Sequence, residues 1–202
     1  MKNSLINHIR FVSVLYAILL VVFLYACQSV GSGRVGKTDP EALKPGLAVL
    51  YYYQFAGKHI DALFSSKFAV DTGKPGEPIR YLNHDFGKGN VFGSGRNKDI
   101  GVQLEGYINM SKPGEYWFRA YANDGIRVYV NGQVIVDDPR WHEKGSRYSE
   151  PLNIRISEPG WYPILVRYFQ HRGTAALKLY WKTPEAADYE IIPAEAYGHP
   201  AS

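Results

Sequence analysis

The sequence predicts an all-β fold, an antiparallel twisted β-sandwich or barrel, for the part of the chain that follows Leu47. Almost every segment there alternates apolar and polar residues with a period of two, as the two faces of a strand require. β-Branched and aromatic residues dominate these segments, and Gly and Pro separate them at short intervals. A brief helical pattern near "HIDALFSSKF" is weak. Together these features are typical of antiparallel sandwiches and barrels.

The alternation assigns one face of each predicted strand to the core. The residues expected to share a buried face are, strand by strand, Val102, Leu104, Gly106 and Ile108; Leu152, Ile154 and Ile156; Tyr162, Ile164, Val166 and Tyr168; and Leu177, Leu179 and Trp181. The sixteen tyrosines are mostly on such strands, where tyrosine is a favoured residue, so we interpret most of them as structural.

The segment "YANDGIRVYVNGQVIVDD", residues 121–138, predicts a β-hairpin. Apolar and polar residues alternate on both sides of Asn131-Gly132, and Asn-Gly favours a type I′ turn because both central residues need positive φ. Asn123-Asp124-Gly125 lies at the entrance to this hairpin. Two side-chain oxygens followed by a glycine predict either an ordinary turn or part of a binding site.

Residues 1–26 predict an N-terminal signal helix, the signal peptide of a bacterial lipoprotein. Lys2 and Arg10 are followed by a charge-free run from residue 11 to residue 26, which is shorter than the roughly 20 residues of a spanning helix. Leu24-Tyr25-Ala26-Cys27 resembles a lipobox, although Tyr25 is bulkier than usual there. Cys27 would then carry the lipid (palmitate among its acyl groups). The alternative is an uncleaved signal anchor with Cys27 as a bystander; in both cases the body is exported and tethered to a membrane.

Residues 27–45 are rich in Gly, Ser and Pro and predict a flexible linker, which leaves 46–198 as a single domain. Because Cys27 is the single cysteine, the domain has no internal disulfide. Gln28 and Ser29 follow Cys27 directly, with no aspartate, which favours the outer membrane as the location in the cell envelope if the cell is Gram-negative. Loss of the signal peptide would lower the formal net charge from +4 to +2, which speaks against a nucleic-acid partner.

The order of motifs between about Gly46 and Gly198 resembles the protective-antigen-fourteen (PA-fourteen) domain family, named for the anthrax protective antigen. The matching segments are "GLAVLYYY", "VQLEGYI", "PGEYWFRAYANDGIRVYVNGQVIVDD", "EPGWYPILVRYFQHRGTAALKLYW" and "IIPAEAYG". The resemblance implies a twisted β-sandwich that acts as a binding module, in many members for carbohydrate.

The resemblance also raises the question of calcium as a cofactor. In the calcium-dependent adhesin members, two adjacent aspartates joined by a cis peptide chelate a calcium ion that also holds two sugar hydroxyls. Here the pair reads Asn123-Asp124, so the site loses one negative charge. A further asparagine ligand of those adhesins is missing from the Gln170–Gly173 loop, where Arg172 would repel a cation. Asn123 and Asp124 are therefore candidates for a metal site, for direct sugar binding, or for a turn.

The resemblance implies a ligand site on the loops at one end of the domain. The candidate ligand-binding residues are Asn123, Asp124, Trp141, Gln170, His171 and Arg172. We expect a lipid-anchored, non-catalytic module that binds a glycan or an envelope polysaccharide. The alternative is a structural or protein-interaction module whose sugar or calcium site has decayed.

Catalysis is not expected, because the residues do not form a recognisable catalytic arrangement. A glycosidase needs two carboxylates facing each other across a cleft. The acidic residues that could supply such a pair are Asp124, Asp137, Asp138 and Glu143. Their positions in the sequence do not place any two of them across a cleft, and the histidines lack the spacing of a zinc site.

Overall fold

Fourteen β-strands form the body of the chain in the computed structural model, which describes residues 42–65 and 73–201. The strands are β1 (Leu43–Pro45), β2 (Leu47–Tyr53), β3 (Lys74–Ile79), β4 (Asn83–Gly87), β5 (Ile100–Met110), β6 (Gly114–Asn123), β7 (Ile126–Val130), β8 (Gln133–Asp138), β9 (Arg147–Tyr148), β10 (Leu152–Ile156), β11 (Gly160–Gln170), β12 (Ala175–Lys182), β13 (Glu190–Ile191) and β14 (Tyr197–Pro200). The predicted signal peptide and Cys27 lie outside the described residues.

The strands pair in two antiparallel sheets, one of eight strands and one of six. In the larger sheet the order is β1-β14-β5-β11-β7-β8, with β2 beside β5 and β3 beside β2. In the smaller sheet the order is β10-β6-β12-β13, with β9 beside β6 and β4 beside β12. The predicted all-β sandwich is therefore confirmed.

The core lies between the two sheets and contains the faces that the alternation assigned to it. The strand β5 pairs with β11 over its whole length, with Leu104 opposite Val166, and both side chains are fully buried. Burial of each such aliphatic side chain stabilises the fold by about 1.5–3 kcal/mol. Leu152 differs from the prediction: it is 36% exposed, because it begins the edge strand β10.

A second, smaller cluster of buried side chains lies beside the main core. Its members are Tyr52, Phe55, Ile60, Leu63 and Phe169, and Trp141 packs against it. Part of the cluster comes from a 3-10 helix over Ile60–Phe64, in the segment where the sequence showed its weak helical pattern. No helix in the described ranges is long and apolar enough to span a membrane.

The strands extend beyond the predicted domain at both ends. Leu43–Pro45, which the sequence placed in the linker, form β1 and pair with Gly198–Pro200. This pairing is not visible in a single sequence, because it joins segments from opposite ends of the domain. The hairpin was predicted correctly: Asn131 and Gly132 connect β7 to β8 with φ values of +50° and +77°.

Candidate functional site

The candidate residues meet at one end of the sandwich, which we call the Asp124 end. It consists of the junction between β6 and β7, the loop that follows β8, and the turn between β11 and β12. The peptide bond between Asn123 and Asp124 is cis. The loops gather here because the carboxylate of Asp124 binds the backbone of two of them.

Asp124 is fully buried and is bonded on both carboxylate oxygens. The backbone N–H of His142 donates to Oδ1 at 3.1 Å, and those of His171 and Arg172 donate to Oδ2 at 2.7 and 3.4 Å. Burial raises the pKa of Asp124, and the three hydrogen bonds offset part of that rise. The side chain therefore holds the loops together and is not presented to a ligand.

Asn123 and Gln170 form the inner part of the same polar network, and both are buried. The side-chain amides of both residues donate to the backbone oxygen of Thr174. The hydroxyl of Tyr168 donates to the backbone oxygen of Asn123 and lies 3.3 Å from Oε1 of Gln170. Burial raises the pKa of Tyr168 well above its ordinary value, so the hydroxyl stays a donor. Oδ1 of Asn123 is buried and has no hydrogen-bond partner among the described residues.

His142 connects this network to Asp138. Its Nδ1 donates to the backbone oxygen of Ala122 at 3.1 Å, and its Nε2 lies 3.0 Å from Oδ2 of Asp138. Arg147 also binds the carboxylate of Asp138, through both Nε and Nη2. Burial alone would raise the pKa of Asp138, but the close contacts of its carboxylate with His142 and Arg147 outweigh it and lower the pKa to about 2.

Trp141 and His171 lie at the outer side of the Asp124 end. The Trp141 ring is half-buried, and the amino group of Lys58 lies 4.7 Å from its centroid. The rings of Trp141 and His171 meet edge to face, with centroids 6.1 Å apart. Nδ1 of His171 lies 3.0 Å from Oδ1 of Asp99. The Trp141 ring and the amino group of Lys58 are thus held next to each other at the surface.

A shallow hollow of about 400 Å³ opens beside Arg172. The residues that line it are Lys88, Asn97, Lys98, Arg172, Gly173 and Thr174. Sequence reasoning did not select Lys88, Asn97 or Lys98, although they lie in the glycine-rich segments "DFGKGN" and "GSGRNKDIG". Their position in a glycine-rich loop beside a rigid sheet is the sequence feature that could have identified them as candidate binding residues.

The structure thus brings the six predicted ligand residues together but gives them two different roles. Asn123, Asp124, Gln170 and His171 are buried and bind neighbouring loops. Trp141 and Arg172 are accessible at the surface. Of these two side chains, Arg172 lines the hollow, and Trp141 contacts His171, the residue before Arg172.

The residues at the Asp124 end do not fit a calcium site of the adhesin type. Calcium takes six to eight oxygen ligands, and carboxylates supply most of the affinity. Both oxygens of Asp124 already accept backbone N–H groups, and Asn123 contributes a single neutral oxygen without a partner. In the described part of the chain, no three His, Cys, Asp or Glu side chains are grouped to hold a metal ion.

A family model for the PA14 domain matches residues 43–195 of this chain. The chain is a member of the PA14 domain family. The resemblance seen in the sequence is therefore confirmed, together with the fold that it implied. The matched range begins at β1 and ends within the last 3-10 helix, Ala194–Ala196.

This PA14 domain is similar to anti-sigma factor proteins. The anti-sigma-I factor RsgI3 of Acetivibrio thermocellus is 26% identical over 114 residues, which are 56% of this chain and 17% of the relative. A solved anti-sigma factor domain-containing protein has a TM-score of 0.61 and 23% identity, over 79% of this chain and 49% of the other. The chain therefore spans about half the length of that structure and much less of RsgI3.

An adhesin of known structure shares the same architecture. The A domain of epithelial adhesin 9 from Candida glabrata, solved in complex with Galβ1-4GlcNAc, has a TM-score of 0.62 and 11% identity. The match covers 81% of this chain and 93% of the adhesin domain. At this level of identity the likeness shows a common fold.

Proposed function

We propose that this PA14 domain is a non-catalytic module that binds carbohydrate at the surface of the Asp124 end. The observation that carries the proposal is the hollow beside Arg172, which opens between residues 88–98 and the β11–β12 turn that Asp124 binds. Sugar recognition needs an aromatic face and a few fixed polar groups on a rigid scaffold. Trp141 offers the aromatic face, and Asn97, Lys98 and Arg172 offer donors. The adhesin domain solved with a disaccharide is a protein of the same fold and supports this choice of ligand class.

The proposal excludes a glycosidase because three of the four candidate carboxylates are already bound, which leaves Glu143 without the second free carboxylate that hydrolysis needs. Asp124 accepts three backbone hydrogen bonds. Asp138 binds Arg147 and His142, and Asp137 binds Arg127 at 2.7 Å. A hydrolase of the usual kind requires two carboxyl groups free to face the substrate from either side.

The test is a glycan array probed with the full chain in a detergent without a sugar headgroup, in calcium and in a chelator. We expect binding to a restricted set of glycans that is the same in both buffers. Arg172→Ala should weaken that binding about tenfold, the loss expected for one charge-assisted hydrogen bond. Arg80→Ala is the matched control, since Arg80 is exposed and lines a different hollow with Lys44 and His199. Flat signals in both buffers would contradict the proposal.

The proposal includes an exported domain held in the cell envelope by a lipid on Cys27, in the outer membrane if the cell is Gram-negative. The motif Leu24-Tyr25-Ala26-Cys27 and the preceding apolar run support it. Labelling with a palmitate analogue should mark the wild-type chain and leave Cys27→Ser unlabelled. A wild-type chain that keeps its N-terminal residues and takes up no label would favour the alternative of a signal anchor.

A second candidate is a protein-interaction module with a regulatory role, whose ancestral sugar site has decayed. It is favoured by the burial of Asp124 and by the likeness to anti-sigma factor proteins. Under this alternative, the full chain would retain envelope proteins in a pull-down and would bind no glycan on the array. Retention that glycans abolish would instead support the first proposal.

A further inference from the structure

A cluster of tyrosine rings surrounds Arg119 on the outer face of the six-stranded sheet. The guanidinium carbon lies 4.2 Å from the ring centroid of Tyr189, 4.5 Å from that of Tyr148 and 5.6 Å from that of Tyr180. Such distances are those of cation–π contacts. We call this cluster the Arg119 patch, which consists of Arg119, Tyr121, Tyr148, Lys178, Tyr180 and Tyr189.

The register of the sheet puts these side chains next to one another. Side chains of a strand alternate between the core and the solvent, and on β6 and β12 the outward set includes every second residue. Arg119 lies opposite Tyr180, and Tyr121 lies opposite Lys178 on one side and Tyr148 on the other. The patch is therefore built on strands, except for Tyr189, which directly precedes β13, and it shares no residue with the hollow beside Arg172.

The guanidinium of Arg119 has no acidic partner. It makes no ion pair or hydrogen bond with the residues that the structure describes, and its Nε is buried. Stacking against rings uses the faces of the guanidinium and leaves its N–H edges for an acceptor in the same plane. Nε is buried, but the two Nη groups are not, so a ligand with an anionic acceptor would gain hydrogen bonds from them together with the charge pairing.

The tyrosines beside Arg119 offer exposed ring surface. Tyr148 is 50% exposed. Its centroid lies 5.0 Å from that of Tyr121 and 5.8 Å from that of Tyr180. Several adjoining rings at the surface of a rigid sheet can contact successive C–H faces of a sugar chain. A single exposed tyrosine is common on protein surfaces and does not indicate a binding site. Several adjoining tyrosine rings around an unpaired cation are less common and do indicate one.

The charges near the patch are of both signs, and Arg119 is the cation of the patch without a carboxylate partner among the described residues. Lys178 places its amino group 5.5 Å from the Tyr121 ring, and its ion pair with Asp85 is loose at 3.8 Å. Two further acidic residues lie close by, and each accepts a hydrogen bond from a local N–H group. Asp188 accepts from the backbone N–H of Tyr189, and Glu190 accepts from the Trp181 indole.

We propose that the Arg119 patch binds a polysaccharide whose pyranose rings carry carboxylates. The sugar rings contact Tyr148 and Tyr121, and a carboxylate accepts the N–H groups of Arg119. The site is separate from the hollow at the Asp124 end, so one domain would hold two segments of a glycan or two different glycans.

The experiment is isothermal titration of the full chain, in a detergent without a sugar headgroup and with a chelator present. Three probes separate the contributions: hexagalacturonate, its methyl ester, which keeps the rings and removes the charge, and hexaglutamate, which keeps the charge and removes the rings. We expect hexagalacturonate to bind at least tenfold more tightly than either of the other two. Arg119→Gln should weaken its binding about tenfold and make it less sensitive to salt.

Tyr148→Ala tests the ring contact with little risk to the fold, because half of the side chain is exposed. Its matched control is Tyr129→Ala, which removes a half-buried tyrosine that lies 5.7 Å from Arg167 on the other sheet. We expect a loss of about fivefold in affinity for Tyr148→Ala and none for Tyr129→Ala.

Any one of the following results would overturn the inference. The first is equal affinity for hexagalacturonate and its methyl ester, and the second is equal affinity for hexaglutamate. The third is a titration with hexagalacturonate that shows no heat, or one that loses its signal with Arg172→Ala and keeps it with Arg119→Gln and Tyr148→Ala. That last pattern would place the ligand at the Asp124 end and leave the proposed function standing.

Discussion

At the scale of single residues, Asp124 is the side chain on which the loops of its end depend. Its carboxylate accepts N–H groups from His142, His171 and Arg172, which belong to two loops far apart in the sequence. The hydrogen bonds from His142 and His171 are buried. These N–H groups therefore depend on Asp124 for an acceptor. One buried residue thus fixes the positions of the accessible side chains around it.

Asp124→Ala should therefore lower the free energy of unfolding by about 3 kcal/mol, because it leaves buried N–H groups without an acceptor. Asp137→Ala is the control: its side chain is 45% exposed and its ion pair is at the surface, so its loss should cost less than about 1 kcal/mol. Urea denaturation of both variants measures the difference. An equal effect of the two substitutions would show that Asp124 does not hold the loops.

Asp138 should make the stability of the domain sensitive to acid. Its pKa is lowered to about 2, against an ordinary value of 3.8. The charged form therefore stabilises the fold above about pH 4, and this contribution, about 2 kcal/mol, is lost as the pH falls towards 2. The pH dependence that Asp124 contributes has the opposite sign. Because its pKa is raised in the folded state, its protonation stabilises the fold at low pH.

Asp138→Asn should accordingly be less stable than the wild type at pH 7 and should lose less stability between pH 5 and pH 2. Denaturant unfolding at a series of pH values checks this, with Asp137→Asn as the variant that should keep the wild-type slope. Parallel curves for the wild type and Asp138→Asn would contradict the assignment.

At the scale of elements, the junction between β6 and β7 depends on a close approach at Gly125. A Cβ built on Gly125 would lie 2.4 Å from Cε1 of Phe169 and 2.8 Å from the backbone oxygen of Pro139. The backbone N–H of Phe169 also donates to the oxygen of Gly125 at 3.0 Å. The chain can pass between β11 and the loop after β8 because glycine has no side chain.

Gly125→Ala should destabilise the domain by about 2–3 kcal/mol, since neither a ring nor a backbone oxygen can move away without disturbing the core. Gly160→Ala is the matched control, because Gly160 lies on β11 and a Cβ there meets nothing within 4 Å. Thermal unfolding of both variants tests the difference. If Gly125→Ala has the same thermal midpoint as the wild type, the close approach does not constrain the junction.

At the scale of the whole molecule, the two surfaces proposed to bind a ligand have different architectures. One is the hollow between residues 88–98 and the β11–β12 turn, and the other is the Arg119 patch on the outer face of the smaller sheet. Loops suit the recognition of a particular sugar, because their side chains vary without disturbing the sheets. A flat sheet face suits contact with an extended chain.

The whole domain should be indifferent to calcium. The thermal midpoint of the full chain is expected to be the same in calcium and in a chelator, because Asp124 is already bonded to backbone N–H groups. Asn123→Asp restores the paired carboxylates, and we expect it to lower the midpoint in the chelator, since a carboxylate cannot donate to Thr174. A midpoint of the wild type that rises with calcium would show that Asn123 and Asp124 hold an ion.

The sequence alone determined the fold class, the buried faces and the hairpin turn, since each of these depends on local alternation and on backbone preferences. It also selected the residues that meet at the Asp124 end, through their resemblance to the family. The tertiary structure decided which of them are accessible. Burial and hydrogen bonding join segments such as Asp124 and the 171–174 turn, which a single sequence cannot place side by side. The pairing of β1 with β14 and the tyrosine rings around Arg119 also join residues that are distant in the sequence, so the sequence alone did not predict them.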